Sequence, residues 1–376
     1  MGWTWRLSLF PLLTVKRFWI RKGRNDGTLS SPPYANDTAV MHDDQNTHPY
    51  EALTPDTVLN AVDTMAHCTG GRTDGRQLAL NSYENRVYQV GIEDASPIVV
   101  KFYRPLRWSD EAIQEEHDFS EALAQLEIPV VAPMRDDNGK SLFEYAGFRF
   151  ALYPRRGGRT LDLENPDNLM WMGRFIGRIH ALGAARPFAH RPTLDIDSFG
   201  WQSYRYLMST NFIPQDLHEA YSTLVEDVLQ QVEAAFDRAG AFSKIRLHGD
   251  CHPGNILWTD EGPHFVDFDD ARMGPAVQDL WMLLSGERTQ MTGQIDEVLS
   301  GYTEFMDFDP RELQLIEPLR TLRMIHYSAW LARRWHDPTF PMHFPWFAEP
   351  RYWEEQILGL REQAAIMNEP PLQWMG

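Results

Sequence analysis

The chain has 376 residues, 43% of them apolar and 13 of them tryptophan, which is ample material for a buried core and, at roughly 100–200 residues per domain, for two domains or lobes. Its two cysteines, Cys68 and Cys251, exclude a disulfide-stapled scaffold and a four-cysteine zinc site and suit a reducing cytoplasm. A net charge of −18 opposes adhesion to nucleic acid or anionic membrane, but leaves open a small anionic nucleotide that arrives with a metal ion in a local pocket.

The first forty residues stand apart. They carry Arg6, Lys16, Arg17, Arg21, Lys22 and Arg24 against Asp26 and Asp37, a balance of +4 that leaves −22 for residues 41–376. The apolar stretch 7–15 is too short to span a bilayer, which takes about twenty residues, and no small-x-small cleavage site follows it. The segment reads as a basic extension, disordered or foreign to the natural protein, with Met41 as the working start.

Thr54 as a cap with Pro55 at the first helical position predicts a helix through Val58, Leu59 and Val62, broken by glycines at 70–75. Alternation at Val87, Tyr88 and Val90, and again over 98–103, predicts an antiparallel hairpin turning at 93–97. Lys101 closes the apolar run Ile98-Val99-Val100, which predicts a long cation at the edge of a buried sheet. Residues 109–126 read as a helix capped by Ser109, with Asp110 and Glu111 in its first turn. At about 100° per residue, Ala112, Phe119, Leu123 and Leu126 centre its buried stripe; Glu115 and Glu116 flank it at about 50° on opposite sides, so either carboxylate is a candidate partner for Lys101.

Strands are expected at 141–145 and 148–153, and the Pro and Gly cluster at 154–158 is the best boundary. Beyond it the pattern is helical: 169–182 after Asn165-Pro166, then 216–239, 277–284, 295–305 and 311–335. The expected architecture is α+β, with a basic extension over 1–40, a small strand-rich half with one main helix over 41–153 and a larger, mostly helical half over 154–376. The aromatic stretch 330–346 reads as core packing more readily than as a docking patch.

The densest chemistry lies at His248-Gly249-Asp250-Cys251-His252-Pro253-Gly254-Asn255, followed by a short strand, a turn at 260–262 and a return strand delivering Asp267. Antiparallel strands joined by a tight turn start and finish as neighbours, so Asn255 and Asp267 face one point. An amide and a carboxylate oxygen suit magnesium. Asp250 remains free to orient or deprotonate a hydroxyl, and Lys101, fixed by an acidic partner such as Glu116, supplies the cation that phosphoryl transfer requires. His248 reads as a structural loop residue, and Cys251 as an inert buried thiol.

The pattern His248-x-Asp250-x4-Asn255 followed by Asp267 resembles the catalytic and metal loops of the aminoglycoside phosphotransferase and choline kinase group, which implies a bilobal protein-kinase-like fold. Longer strings at 80–88, 100–105, 247–258, 274–281, 333–338 and 344–346 are similar to a bacterial branch of that group, over about 50–372. The resemblance implies a cytoplasmic Ser/Thr protein kinase that uses ATP and Mg2+, acting in stress responses and in limiting programmed death. It implies Asp250 as proton acceptor with Asp267 as the second catalytic carboxylate, Asn255 and Asp267 as metal ligands, and Lys101 with Glu116 on the phosphates. It also puts Ser82 near ATP and makes Asp279 a brace for the catalytic loop. No G-x-G-x-x-G run precedes Lys101, so 81–85 must cover the phosphates. The implied partners are protein hydroxyls, with no nucleic acid, no membrane and a monomeric state. Two other functions fit the same residues: a small-molecule kinase for an amino alcohol or cationic antibiotic, which the acids Asp269 and Asp270 would favour, and a nucleotide-binding regulator without transferase activity.

Overall fold

The computed structural model describes residues 49–376; the basic extension over 1–40 and the start at Met41 lie outside the described residues. Thr54 accepts the Thr57 amide, and with Pro55 behind it starts α1 (Pro55–Asp63), which buries Val58, Ala61 and Val62. A short α2 (Ala66–Thr69) ends at Gly70. The chain then builds β1 (Thr73–Ala79), β2 (Arg86–Ile92), β3 (Ile98–Phe102), α3 (Asp110–Gln125), β4 (Phe143–Tyr145) and β5 (Phe148–Pro154). The strands form one antiparallel sheet in the order β1-β2-β3-β5-β4.

The hairpin expected over 87–103 is β2 and β3, with Val87 opposite Lys101. β1 was hidden by its glycine: Gly75 takes φ +85 where the β1–β2 pairing slips between Thr73 and Gln77, so a breaker residue sits inside a bulged edge strand. Lys101 is not at a sheet edge. β3 is the central strand, Ala151 of β5 pairs with Lys101 on its other side, and the lysine is 5% exposed. Helix α3 is capped by Ser109 as expected and buries Ala112, Phe119 and Leu123, but Leu126 terminates it and is 52% exposed. This helix serves two cores. Ile113 packs with Tyr103, Leu142 and Ala151 beneath the sheet, whereas Phe119 and Leu123 belong to the apolar core of the helical half.

That half contains α4 (Pro166–Ala184), α5 (Gln202–Met208), α6 (His218–Ala239), β6 (Ile245–Leu247), β7 (Ile256–Thr259), β8 (Gly262–Phe265), β9 (Arg272–Gly274), α7 (Val277–Trp281), α8 (Arg288–Tyr302), α9 (Ile316–Arg333), α10 (Thr339–His343) and α11 (Pro350–Ile366). β6 pairs with β9 and β7 with β8. Helix α8 begins seven residues before the expected 295, where the Gln290 side chain accepts the Glu287 amide. The turn at 310–315 is a 3₁₀ segment, which shortens the helix expected over 311–335. Trp330, Phe340, Phe344 and Phe347 pack together in the second helical core. No helix among the described residues is long and apolar enough to cross a membrane.

Candidate active site

The loop between β6 and β7 is held from below by Asp279 of α7. Its buried carboxylate accepts the amides of His248 at 2.8 Å and Gly249 at 2.9 Å, and His180 Nε2 at 3.0 Å. This is the brace that the resemblance implied. Gly249 has φ +83, and a Cβ there would collide with the Asp270 carbonyl oxygen, so no other residue fits this turn. His248 Nε2 donates to the Val266 carbonyl at 3.0 Å and its Nδ1 accepts the Asp250 amide at 3.3 Å; both ring nitrogens are committed to the loop.

On this frame the β7–β8 hairpin brings Asn255 and Asp267 to one end. Ile256 pairs with Phe265, and the Val266 amide donates to the Asn255 carbonyl at 3.0 Å. Asn255 Nδ2 donates to the Asp250 carbonyl at 3.0 Å and to Asp250 Oδ2 at 3.3 Å, which turns its own Oδ1 away with no hydrogen bond among the described residues. Asp267 takes the left-handed conformation at φ 63, ψ 66, tolerated by Asp better than by most residues, and its carboxylate is 54% exposed. Asp250 meets Arg323 Nη2 of α9 at 2.6 Å and His252 Nε2 at 3.4 Å. Burial alone would raise its pKa, but the nearby Arg323 and His252 outweigh it and hold the carboxyl well below its usual range.

Lys101 Nζ lies 3.4 Å from Glu116, 3.3 Å from Asp267 and 3.1 Å from Asp269. Burial would lower the ammonium pKa; Asp269, Glu116 and Asp267 reverse that and push it well above the ordinary value, so the lysine stays charged. Helix geometry left Glu115 and Glu116 open, and the structure separates them. Glu116 faces Lys101, whereas Glu115 accepts the backbone amides of Ala189, His190 and Arg191 at 2.6–2.9 Å.

Asp269 and Asp270 are not spare acid. Arg107 spans both, bonding Asp269 and meeting Asp270 at 2.9 Å; Arg272 meets Asp270 at 2.8 Å. Burial would raise the Asp269 pKa, but Arg107 and Lys101 lower it, and the carboxylate is kept ionised by cations of the protein itself.

Ser82 lies in the β1–β2 loop, partly exposed and without a hydrogen bond among the described residues. The loop is nonetheless fastened to the helical half. Glu84 accepts Trp330 Nε1 at 2.6 Å and pairs with Arg334 at 2.5 Å; Arg86 and Arg104 both reach Asp337, at 3.3 and 3.0 Å; and the Tyr83 ring packs edge-on against Phe344. Glu84, Arg107, Arg323 and Asp337 went unassigned from sequence, and Asp269 reads there only as surplus acid. Glu84 and Asp337 lie in strings singled out there, 80–88 and 333–338, but each meets partners more than 230 residues away, Glu84 with Trp330 and Arg334 and Asp337 with Arg86 and Arg104.

A central-strand lysine paired with a helix carboxylate, above a hairpin that presents an amide and a carboxylate beside a second carboxylate of the preceding loop, defines a kinase-like phosphotransferase. The chain belongs to the phosphotransferase enzyme family, whose model matches residues 76–316. It is 45% identical over 324 residues to Stress response kinase A of Escherichia coli K12, which covers 86% of this chain and 96% of that protein. It is 42% identical over 328 residues to serine/threonine protein kinase RdoA of Salmonella typhimurium LT2, covering 87% and 98%. In fold it is similar to amicoumacin kinase hAmiN, solved with AMP-PNP, Ca2+ and its ligand, at a TM-score of 0.63 and 18% identity over 84% of this chain and 94% of that one.

Proposed function

We propose that this phosphotransferase is an ATP- and Mg2+-dependent protein kinase that phosphorylates Ser and Thr hydroxyls in the bacterial cytoplasm, as a monomer, in stress response and suppression of programmed death. The observation that carries the reading is the pairing of Asn255 with Asp250 and of Lys101 with Asp267, with Asn255 and Asp267 at one end of the same hairpin, in a chain 45% identical to a stress response kinase. The lobe boundary would fall after Tyr153, with the sheet half covering the nucleotide.

The donor set fits magnesium. Asn255 Oδ1 and the half-exposed Asp267 carboxylate are both oxygens. Among the described residues no three or more His, Cys, Asp or Glu side chains gather for a metal, so water and phosphate oxygens would complete the shell, as this ion prefers. Bound there, Mg2+ would supply neutralisation of charge on the transferring phosphate. Lys101, kept cationic and buried, would bind nucleotide phosphate, with Glu116 and Asp269 fixing its position and Ser82 lying in the covering loop. Asp250 would accept the hydroxyl hydrogen bond and orient the oxygen for in-line attack. Its low basicity suits a loose transition state, in which little proton transfer is needed before the phosphorus–oxygen bond breaks.

Purified protein with γ-labelled ATP and Mg2+ is expected to label itself or a generic protein substrate, and Asp250→Ala or Asp267→Ala to lose the label. Label confined to amino alcohols or aminoglycosides would overturn the protein-kinase reading, and nucleotide binding without any transfer would point to a silent regulator.

A further inference from the structure

We propose that Arg323 is a specificity-determining residue that selects acidic acceptors: Ser or Thr hydroxyls flanked by Asp or Glu. The inference rests on the protein-kinase reading above and concerns which proteins that site accepts.

Arg323 projects from α9, half-buried with 26% of its side chain exposed, and its Nη2 contacts Asp250 Oδ1 at 2.6 Å. Any hydroxyl that reaches Asp250 therefore arrives beside a guanidinium. That group carries five N–H donors in a planar fork. Only the Nη2 contact is made to protein; Nε and Nη1 have no partner among the described residues. A partly exposed fork with unused donors can take a carboxylate side by side, the geometry that distinguishes arginine from lysine.

A simple counter-ion role for Arg323 accounts for less. Pairing with Asp250 uses Nη2 alone and leaves Nε and Nη1 of the fork unaccounted for among the described residues.

The neighbouring charges point the same way. Asp269 and Asp270, the acids that would attract an aminoglycoside or an amino alcohol, are occupied by Arg107, Lys101 and Arg272. A cationic acceptor would meet Arg323 beside Asp250, with Asp269 and Asp270 already bridged by the protein's own cations. The overall charge of −18 repels an acidic partner at long range. At physiological ionic strength that field decays over about 8 Å, and a direct contact within hydrogen-bond distance decides.

The test uses the full chain with Mg-ATP and three Ser peptides that differ only in flanking Asp/Glu, Gln or Lys/Arg, against wild type, Arg323→Gln, Arg323→Glu and Arg323→Lys, each checked by thermal melting. Wild type is expected to favour the acidic over the neutral peptide about tenfold in kcat/KM, which corresponds to one good charged contact, with the difference lying in KM. Arg323→Gln should abolish the preference, Arg323→Glu reverse it toward the Lys/Arg peptide, and Arg323→Lys restore part of it. Peptides phosphorylated with the same charge preference in all four proteins, or a wild type that favours the basic peptide, would overturn the proposal while the protein-kinase reading stands. If no peptide is labelled and a small molecule is, both fall together.

Discussion

Asp279 shows how much of the geometry of the loop carrying Asp250 can depend on one buried side chain. Oδ1 accepts the Gly249 amide and Oδ2 accepts both the His248 amide and His180 Nε2. Asparagine has nearly the same shape but one acceptor oxygen, and its NH2 would face a donor. Asp279→Asn is therefore expected to cost on the order of 2–4 kcal/mol, the penalty for unsatisfied buried donors. It should lower kcat about hundredfold through displacement of Asp250, with ATP affinity much less affected. Urea unfolding and steady-state kinetics check the two effects. At this scale the motif residues were legible, because Asn255 and Asp267 are tied by a hairpin of only thirteen residues and Asp250 lies five residues before it. The choice of Glu116 over Glu115 was not, because it turns on backbone amides at 189–191, in a loop some 75 residues away.

Elements with local signals matched expectation closely. α1 and α3 begin at their Thr54 and Ser109 caps, and β2 pairs with β3 across the expected turn. Elements whose ends are set by tertiary partners did not. α7 stops at Trp281 rather than 284, and its first amide, that of Val277, donates to Glu312 at 2.9 Å from the neighbouring 3₁₀ turn. Because α7 carries Asp279, this contact bears on the catalytic loop. Burial raises the Glu312 pKa from 4.5 to about 7, although the Val277 amide opposes the shift. Between those two values the folded state binds more protons than the unfolded state. The extra stability is fully present below about 4.5 and fades as pH rises through 7. Raising pH from 6 to 8 should cost wild type about 1 kcal/mol from this group. Glu312→Gln, which keeps an acceptor for Val277, should lack this component. Parallel urea titrations at the two pH values, taken as the difference between variant and wild type, isolate it.

At the scale of the molecule, binding of nucleotide is expected to tie together what the sequence could only divide. Composition and breakers separated a strand-rich half from a helical one, but the contacts that join them are long-range: α3 in two cores, Glu84 on Arg334, and Arg86 and Arg104 on Asp337. The Lys101 cluster lies on the same seam, with Glu116 from the sheet half and Asp267 and Asp269 from the helical half around a single ammonium. Arg107 also meets Asp269 and Arg191 also meets Glu116, which leaves Asp267 paired with Lys101 alone among the described residues. A ligand that binds only the folded state at a hundred times its Kd contributes about 2.7 kcal/mol. Mg2+ with a non-hydrolysable ATP analogue at that level should raise the melting temperature by a few degrees, and EDTA should remove most of the rise. In Asp267→Ala the metal-dependent part should vanish while a smaller nucleotide-dependent part, carried by Lys101, persists. Lys101→Ala should show the converse weakness, with a lower melting temperature even without ligand, because Glu116 and Asp269 are then left buried without their shared cation. Thermal melts of the three proteins with and without EDTA decide it: an equal shift in wild type and Asp267→Ala would remove Asp267 from the metal site.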